Sequence, residues 1–325
     1  MRKTILIIII ILTFPVSSCV KEENIKLNFK DYDRAAKHLG KNLNKYMFNT
    51  ISSIKWENEN FVYYKFKGHN KIENFKINLA TKERIVSNNY SVKNESKSSK
   101  KNQFISPNGQ LIAFIKNYNL WVRDLKTNKT KQLTFDGKKN YGYATNNAGW
   151  IQNEDPVLRW SPNSEKIATF RQDARAVGEM YLTTTNVGHP KLKAWKYALP
   201  GDKKIFEIER LIIDVKKNTI IRFNMENDFQ RSTTTDHIAG RNGELLDTQW
   251  NKDGTKLAFI SSSRDHKSAH LKIADAKTGN ISSVFIENTN TYYESGVGSE
   301  NWKVLFDSNE FIWYSEKDNW GHLYL

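Results

Sequence analysis

The chain has a single cysteine, Cys19, so no disulfide can form within it and its stability has to come from packing. Six prolines and sixteen glycines in 325 residues are too few for a collagen-like or low-complexity chain. Acidic residues are in deficit: 50 Lys and Arg stand against 35 Asp and Glu, a net charge of +15. That excess does not point to nucleic acid, because the lysines are scattered through turns and no nucleic-acid-binding motif accompanies them. The densest run, Lys93 to Lys101, is interspersed with Ser and Asn and reads as a solvated loop. No G-x-S-x-G elbow for a serine nucleophile occurs. His266 and His270 have no Glu between them and no third ligand nearby, so a surface pair is expected rather than a metal site. Gly296-Val297-Gly298 lacks the third glycine of a dinucleotide loop, and Asp136-Gly137 and Asp253-Gly254 read as turns. Neither a metal nor a cofactor is expected.

Long apolar runs are also missing, except at the start. Arg2 and Lys3 precede Ile5 to Phe14, interrupted only by Thr13. A membrane-spanning helix needs about twenty apolar residues, so this run fits the h-region of a signal peptide better than a span. Val16-Ser17-Ser18-Cys19 then resembles a bacterial lipobox. A cysteine suits that position, since its thiol takes a diacylglyceryl thioether and its freed amine a further acyl chain, which together anchor stably. Residues 1–19 are therefore expected to be a lipoprotein signal peptide, with Cys19 the lipidated residue. The expected location is the bacterial envelope, as an outer-membrane, cell-surface or periplasmic protein held to the membrane by its lipid. Lys21-Glu22-Glu23 resembles a surface-export tag. Removing the signal takes two positive charges, from +15 to +13.

What is abundant is aromatic residues, at 12% with nine Trp, on a chain that is 38% hydrophobic. Tyr32, Ala35, Ala36, Leu39 and Leu43 fall at helical spacings, which predicts one short helix within residues 20–50. From residue 51 the period becomes that of strands. A loose unit recurs: an aromatic opening, a turn, an apolar strand, a second strand, a polar turn and a closing strand. It opens at Trp56, Phe104, Trp160 and Trp250, with a further unit from Trp302. The wide gap between Trp160 and Trp250 leaves room for two units, and Ile208 to Phe223 supplies strand-like material for the missing one. A period of roughly 40–50 residues with four strands per unit is the mark of a propeller. The expected fold is all-β, an incomplete β-propeller of four-stranded blades over residues 51–325 behind a short helical segment. The opening aromatics are expected in the core between blades.

Several stretches carry a family resemblance. They are Ser106-Pro107-Asn108-Gly109 with Ile112-Ala113-Phe114, Asn119-Leu120-Trp121-Val122, and Gln132-Leu133-Thr134 with Asp136-Gly137. To these add Trp160-Ser161-Pro162-Asn163-Ser164, Lys196-Tyr197 with Pro200-Gly201, and Ser315 through Leu325. As an ordered set, clearest over residues 100–325, they resemble the N-terminal propeller of the dipeptidyl peptidase IV (S9 serine peptidase) family. The resemblance implies a propeller that caps an α/β-hydrolase domain, admits peptides and supplies paired Glu residues for the substrate's free N-terminus. Carboxylates suit that task because an ammonium group gives them charge-assisted hydrogen bonds. The matching stretch is Trp150-Ile151-Gln152-Asn153-Glu154-Asp155, where Glu154 and Asp155 fall at the paired positions. It departs from the family pattern at Gly149 and Gln152 and has one Glu-Asp pair before Pro156. Glu154 and Asp155 are thus read either as amine-binding groups or as a solvated blade turn. Arg171, Gln172, Asp173 and Arg175 could line the same mouth, or the charged ones among them could form a blade-edge ion pair.

No catalytic residue is expected in the chain itself. The resemblance implies a peptide substrate and a hydrolase domain C-terminal to Leu325, and leaves a homodimer open. Two functional readings follow: the substrate-gating part of an exported S9-like peptidase acting on oligopeptides, or a stand-alone lipoprotein whose propeller binds a peptide or protein partner.

Overall fold

The computed structural model describes residues 27–43, 46–69, 71–87, 104–145, 154–230, 245–293 and 301–325. Cys19 and the stretch 150–153 lie outside them. The chain divides into two compact units, 1–96 and 97–325. Among the described residues no helix is long and apolar enough to cross a membrane.

In the first unit, α1 (Phe29–Lys37) starts where Asn28 caps it. The Asn28 side chain accepts from the Lys30 N–H, and Asp31 reaches back to the Asn28 N–H at 3.0 Å. A four-residue turn of helix, α2 (Gly40–Leu43), follows. The rest is an antiparallel sheet in chain order: β1 (Thr50–Trp56), β2 (Phe61–Lys67), β3 (Ile72–Asn78) and β4 (Arg84–Val86). Val62 and Phe75 are its buried centre.

The second unit is a series of sheets stacked face to face. The first holds β5 (Leu111–Lys116), β6 (Asn119–Asp124) and β7 (Thr130–Gln132), with Ile105 bridged to Ile112 at its edge. The second is built on two long strands, β10 (Lys166–Asp173) and β13 (Phe206–Asp214). They are flanked by β8 (Tyr141–Tyr143), β9 (Arg159–Trp160), β14 (Thr219–Arg222) and β15 (Asp228–Gln230). Between β10 and β13 the chain makes a two-stranded ribbon, β11 (Glu179–Thr183) and β12 (Leu192–Lys196). The third is β16 (Thr248–Trp250), β17 (Lys256–Ser262), β18 (Ser268–Asp275) and β19 (Ile281–Asn288). The fourth is β20 (Trp302–Leu305), β21 (Glu310–Ser315) and β22 (His322–Tyr324).

Side-chain alternation explains the stacking. Successive residues of a strand face opposite ways, so a central strand buried on both sides serves two cores. On β10 and β13, Ile167, Leu211 and Ile213 pack against Ala113, Leu120 and Val122 of the first sheet. Their neighbours Ala168, Phe170, Ile208 and Ile212 pack against Leu257, Phe259 and Ala274 of the third. Ala258, Ile260, Ala269 and Leu271 then turn the other face of that sheet toward Trp302, Val304 and Trp313. Each sheet is a blade, and the fold is an open β-propeller: among the described residues no core cluster joins the fourth sheet back to the first.

Three details correct the sequence expectation. Ile208 to Phe223 is not a missing blade, because β13 pairs with β10 from Lys166↔Asp214 to Asp173↔Glu207. Among the described residues between Trp160 and β16, the strands outside the sheet of β10 and β13 are those of the β11–β12 ribbon. The second opening is Ile105 rather than Phe104, since Ile105 occupies the place before Ser106 that Trp160 holds before Ser161. Finally, the opening aromatic is core at Trp160 and Trp250, but Trp56 is 62% exposed.

Candidate functional site

A cavity of about 550 Å³ opens at one end of the first two sheets of the second unit. One side comes from the end of β5 and the tip of the β5–β6 hairpin, with Lys116 and Tyr118. The floor holds Gly142 and Thr145, and the far side Gln172 of β10 and Trp195 and Lys196 of β12. Glu154 and Lys139 complete the wall.

The hairpin tip is tied down by side chains. Asn117 and Tyr118 both have left-handed backbone, φ 50° and 62°, as a two-residue turn between twisted strands requires. Asn119, 6% exposed, donates to the Asn117 and Gly137 carbonyls and accepts from the Gly137 N–H at 2.9 Å and the Thr134 hydroxyl at 3.0 Å. Thr134 in turn accepts from the Leu120 N–H. A Cβ on Gly137 would lie 2.2 Å from the Tyr118 carbonyl oxygen, so only glycine lets this loop meet the hairpin. Asn140 and Ala144, beside the floor, are also left-handed. Strained backbone held in this way by its surroundings is typical of binding sites.

Beneath the cavity lies a charged network. Arg171 bonds to Asp136 at 2.6 Å and to Glu209 at 2.7 Å, and Arg222 reaches Glu209 at 3.0 Å. The Tyr143 hydroxyl donates to Asp136 at 2.6 Å and accepts from Arg222 at 3.2 Å. Burial first, then the bond to Asp136, pushes the Tyr143 phenol up to about 12. Burial alone would raise the Asp136 carboxyl, but the Tyr143 hydroxyl and the Arg171 and Arg222 charges outweigh it and hold the group below its ordinary value.

Residues 64–325 match the family described as the dipeptidyl peptidase IV (DPP IV) N-terminal region. The chain belongs to this family. Its fold is also that of two solved bacterial proteins. Dipeptidyl peptidase 4 of Porphyromonas gingivalis superposes with a TM-score of 0.55 at 17% identity, over 86% of this chain and 36% of that one. A putative dipeptidyl aminopeptidase IV of Bacteroides ovatus gives 0.50 at 18% identity, over 83% and 34%. The probable dipeptidyl-aminopeptidase B of the fungus Phaeosphaeria nodorum is 23% identical over 48% of this chain and 19% of its own length. The chain thus spans about a third of the length of the solved relatives and a fifth of the fungal one.

Within this DPP IV N-terminal fold the expected site residues separate. Glu154 is exposed on the cavity wall. Asp155 is half-buried and does not line the cavity; Pro156, Val157 and Leu158 behind it are buried, with the Val157 N–H bonded to the Ala144 carbonyl. Arg171 and Asp173 alternate with Gln172 and with Ala174, just past the end of β10, and it is the latter two that line the cavity. Arg171 belongs to the network below. Asp173 pairs with Arg175 at 2.6 Å, and both arginines lie over the Tyr141 ring, at 4.3 and 4.0 Å. The pair with Arg175 is the first reason the Asp173 carboxyl sits below its ordinary value. Of the four residues expected at the mouth, Gln172 is the one that lines the cavity; sequence reasoning did not single out Lys116, Tyr118, Lys139 or Trp195. These four come from a strand end, a hairpin tip, a loop and the β11–β12 ribbon, which lie apart in sequence and carry no shared local signal. His266 stacks on Tyr292 and His270 bonds to Ser283, and among the described residues no three His, Cys, Asp or Glu side chains converge on a metal-sized site.

Proposed function

We propose that this chain is the substrate-gating propeller of an exported S9-like serine peptidase that removes dipeptides from oligopeptides, the hydrolase domain being supplied by sequence beyond Leu325. What supports the reading above all is that the chain matches an N-terminal region while covering only 36% of a dipeptidyl peptidase with the same fold. In this reading Glu154 receives the substrate's free amine in the cavity. An exposed carboxylate on a concave wall gives an ammonium group a charge-assisted acceptor without the cost of burying an unpaired charge. Asp155 assists by its charge from behind the wall. Cys19 carries the lipid that holds the protein to the bacterial envelope.

The test uses the product of the whole reading frame and chromogenic dipeptide substrates with a free or an acetylated N-terminus. Cleavage confined to the free-amine substrate is expected. Glu154→Gln should raise KM by about ten-fold, since one exposed charge-assisted bond is worth roughly 1.4 kcal/mol. Equal cleavage of both substrates, or an unchanged KM, would remove Glu154 from the amine site. Absence of cleavage would favour a stand-alone peptide- or protein-binding lipoprotein.

A further inference from the structure

We propose that the cavity selects peptides carrying carboxylate side chains close to their N-terminus, with Lys116 and Lys139 as the selecting groups. The inference rests on the peptide-binding reading above and names its substrate class. Three ammonium groups, those of Lys116, Lys139 and Lys196, share the wall with one carboxylate, that of Glu154. Lys196 is committed elsewhere: it donates to the Val177 carbonyl at 2.7 Å and lies 3.6 Å from Glu179. Lys116 and Lys139 are exposed, and neither enters an ion pair among the described residues; Lys139 only lends its charge to Glu179 from a distance, and Lys116 only lies over the Trp121 ring, at 5.3 Å. They stand on different elements, at the end of β5 and in the loop entering β8, so their charges converge on the opening rather than follow one strand. Once a peptide amine neutralises Glu154, the wall is left cationic. The ligand that completes it carries negative charge just beyond its amine, and a peptide with basic side chains there is repelled.

The experiment titrates this chain with two C-terminally labelled peptide amides, Ala-Pro-Glu-Glu and Ala-Pro-Gln-Gln, by fluorescence anisotropy at low salt. The acidic peptide should bind about ten-fold tighter, the sum of two exposed ion pairs of roughly 0.7 kcal/mol each. The double variant Lys116→Gln, Lys139→Gln should bring the two peptides within about two-fold of each other. Both lysines are exposed, so the variant keeps the fold, checked by its melting temperature. Equal binding of the peptides by the unmodified chain, or a preference that survives in the double variant, overturns the inference. An N-acetylated Ala-Pro-Glu-Glu separates it from the reading it rests on. If acetylation changes nothing while the lysine-dependent preference holds, the amine site falls and this inference stands. If acetylation weakens binding but the acidic and amide peptides tie, this inference falls alone. If no peptide binds, both fall.

Discussion

Arg171 shows how one residue can be central without lining the cavity. Its side chain is 12% exposed and is held by Glu209 on β13 and by Asp136 in the loop before β8, both far from it in sequence. Removing it leaves Glu209 with Arg222 alone and the part-exposed Asp136 with Tyr143 alone, at a cost of about 2 kcal/mol, between that of an exposed and that of a buried pair. Arg171→Ala should therefore lower unfolding stability by about that amount in urea titrations; a loss under 1 kcal/mol would mean the network is solvated. Tyr143 gives the same network a pH signature. Its pKa is raised, so its contribution is complete below the unfolded value of about 10 and is lost as pH climbs through about 12. The Asp136 pKa is lowered, so its contribution is present above about 3.9 and fades as pH falls below that. Melting temperatures of the unmodified chain and Tyr143→Phe should then differ most between pH 5 and 9 and converge toward pH 12. A constant gap across the alkaline range would show that the phenol's proton is not held by Asp136.

At the scale of elements, the blades are joined by a repeated device. The Trp160 indole N–H donates to the Phe104 carbonyl at 3.1 Å, and the Trp250 indole N–H to the Arg159 carbonyl at 3.2 Å. In both cases the acceptor is the residue just before the opening position of the preceding blade, Ile105 or Trp160. The turns repeat as well. Leu111, Lys166 and Lys256 each donate a backbone N–H to the side chain five residues back, Ser106, Ser161 or Asn251, at 2.9 Å. Trp160→Phe and Trp250→Phe should each cost about 1.5 kcal/mol by leaving a part-buried carbonyl without its donor, measured by urea unfolding; changes within 0.3 kcal/mol would make the bonds incidental. These devices explain why the blades could be read from the sequence. A Ser-Pro-Asn-Gly turn, an alternating strand and an opening Trp are local, and local chemistry dictates them. The pairing of β10 with β13 could not be read, because the β11–β12 ribbon separates them and pairing across such an insertion leaves no local trace. The cavity was hidden for the same reason. Glu154 stood out as a carboxylate after a Trp, but Lys116, Lys139 and Trp195 meet it only through the stacking of blades.

At the scale of the molecule, four sheets stack in chain order through shared cores, and the cavity sits where the first two meet at one end. A hairpin tip, a glycine-dependent loop and a charged network fix that end, whereas the lysines and Glu154 on its wall remain exposed. In the proposed role this charged mouth holds one end of an extended peptide. The proposal that this DPP IV N-terminal region serves a peptidase is tested most directly by hydrolysis of alanyl-proline p-nitroanilide, assayed on this chain and on the product of the whole reading frame. The account predicts cleavage by the longer product and none by this chain. Cleavage by neither, with both proteins folded, would contradict it.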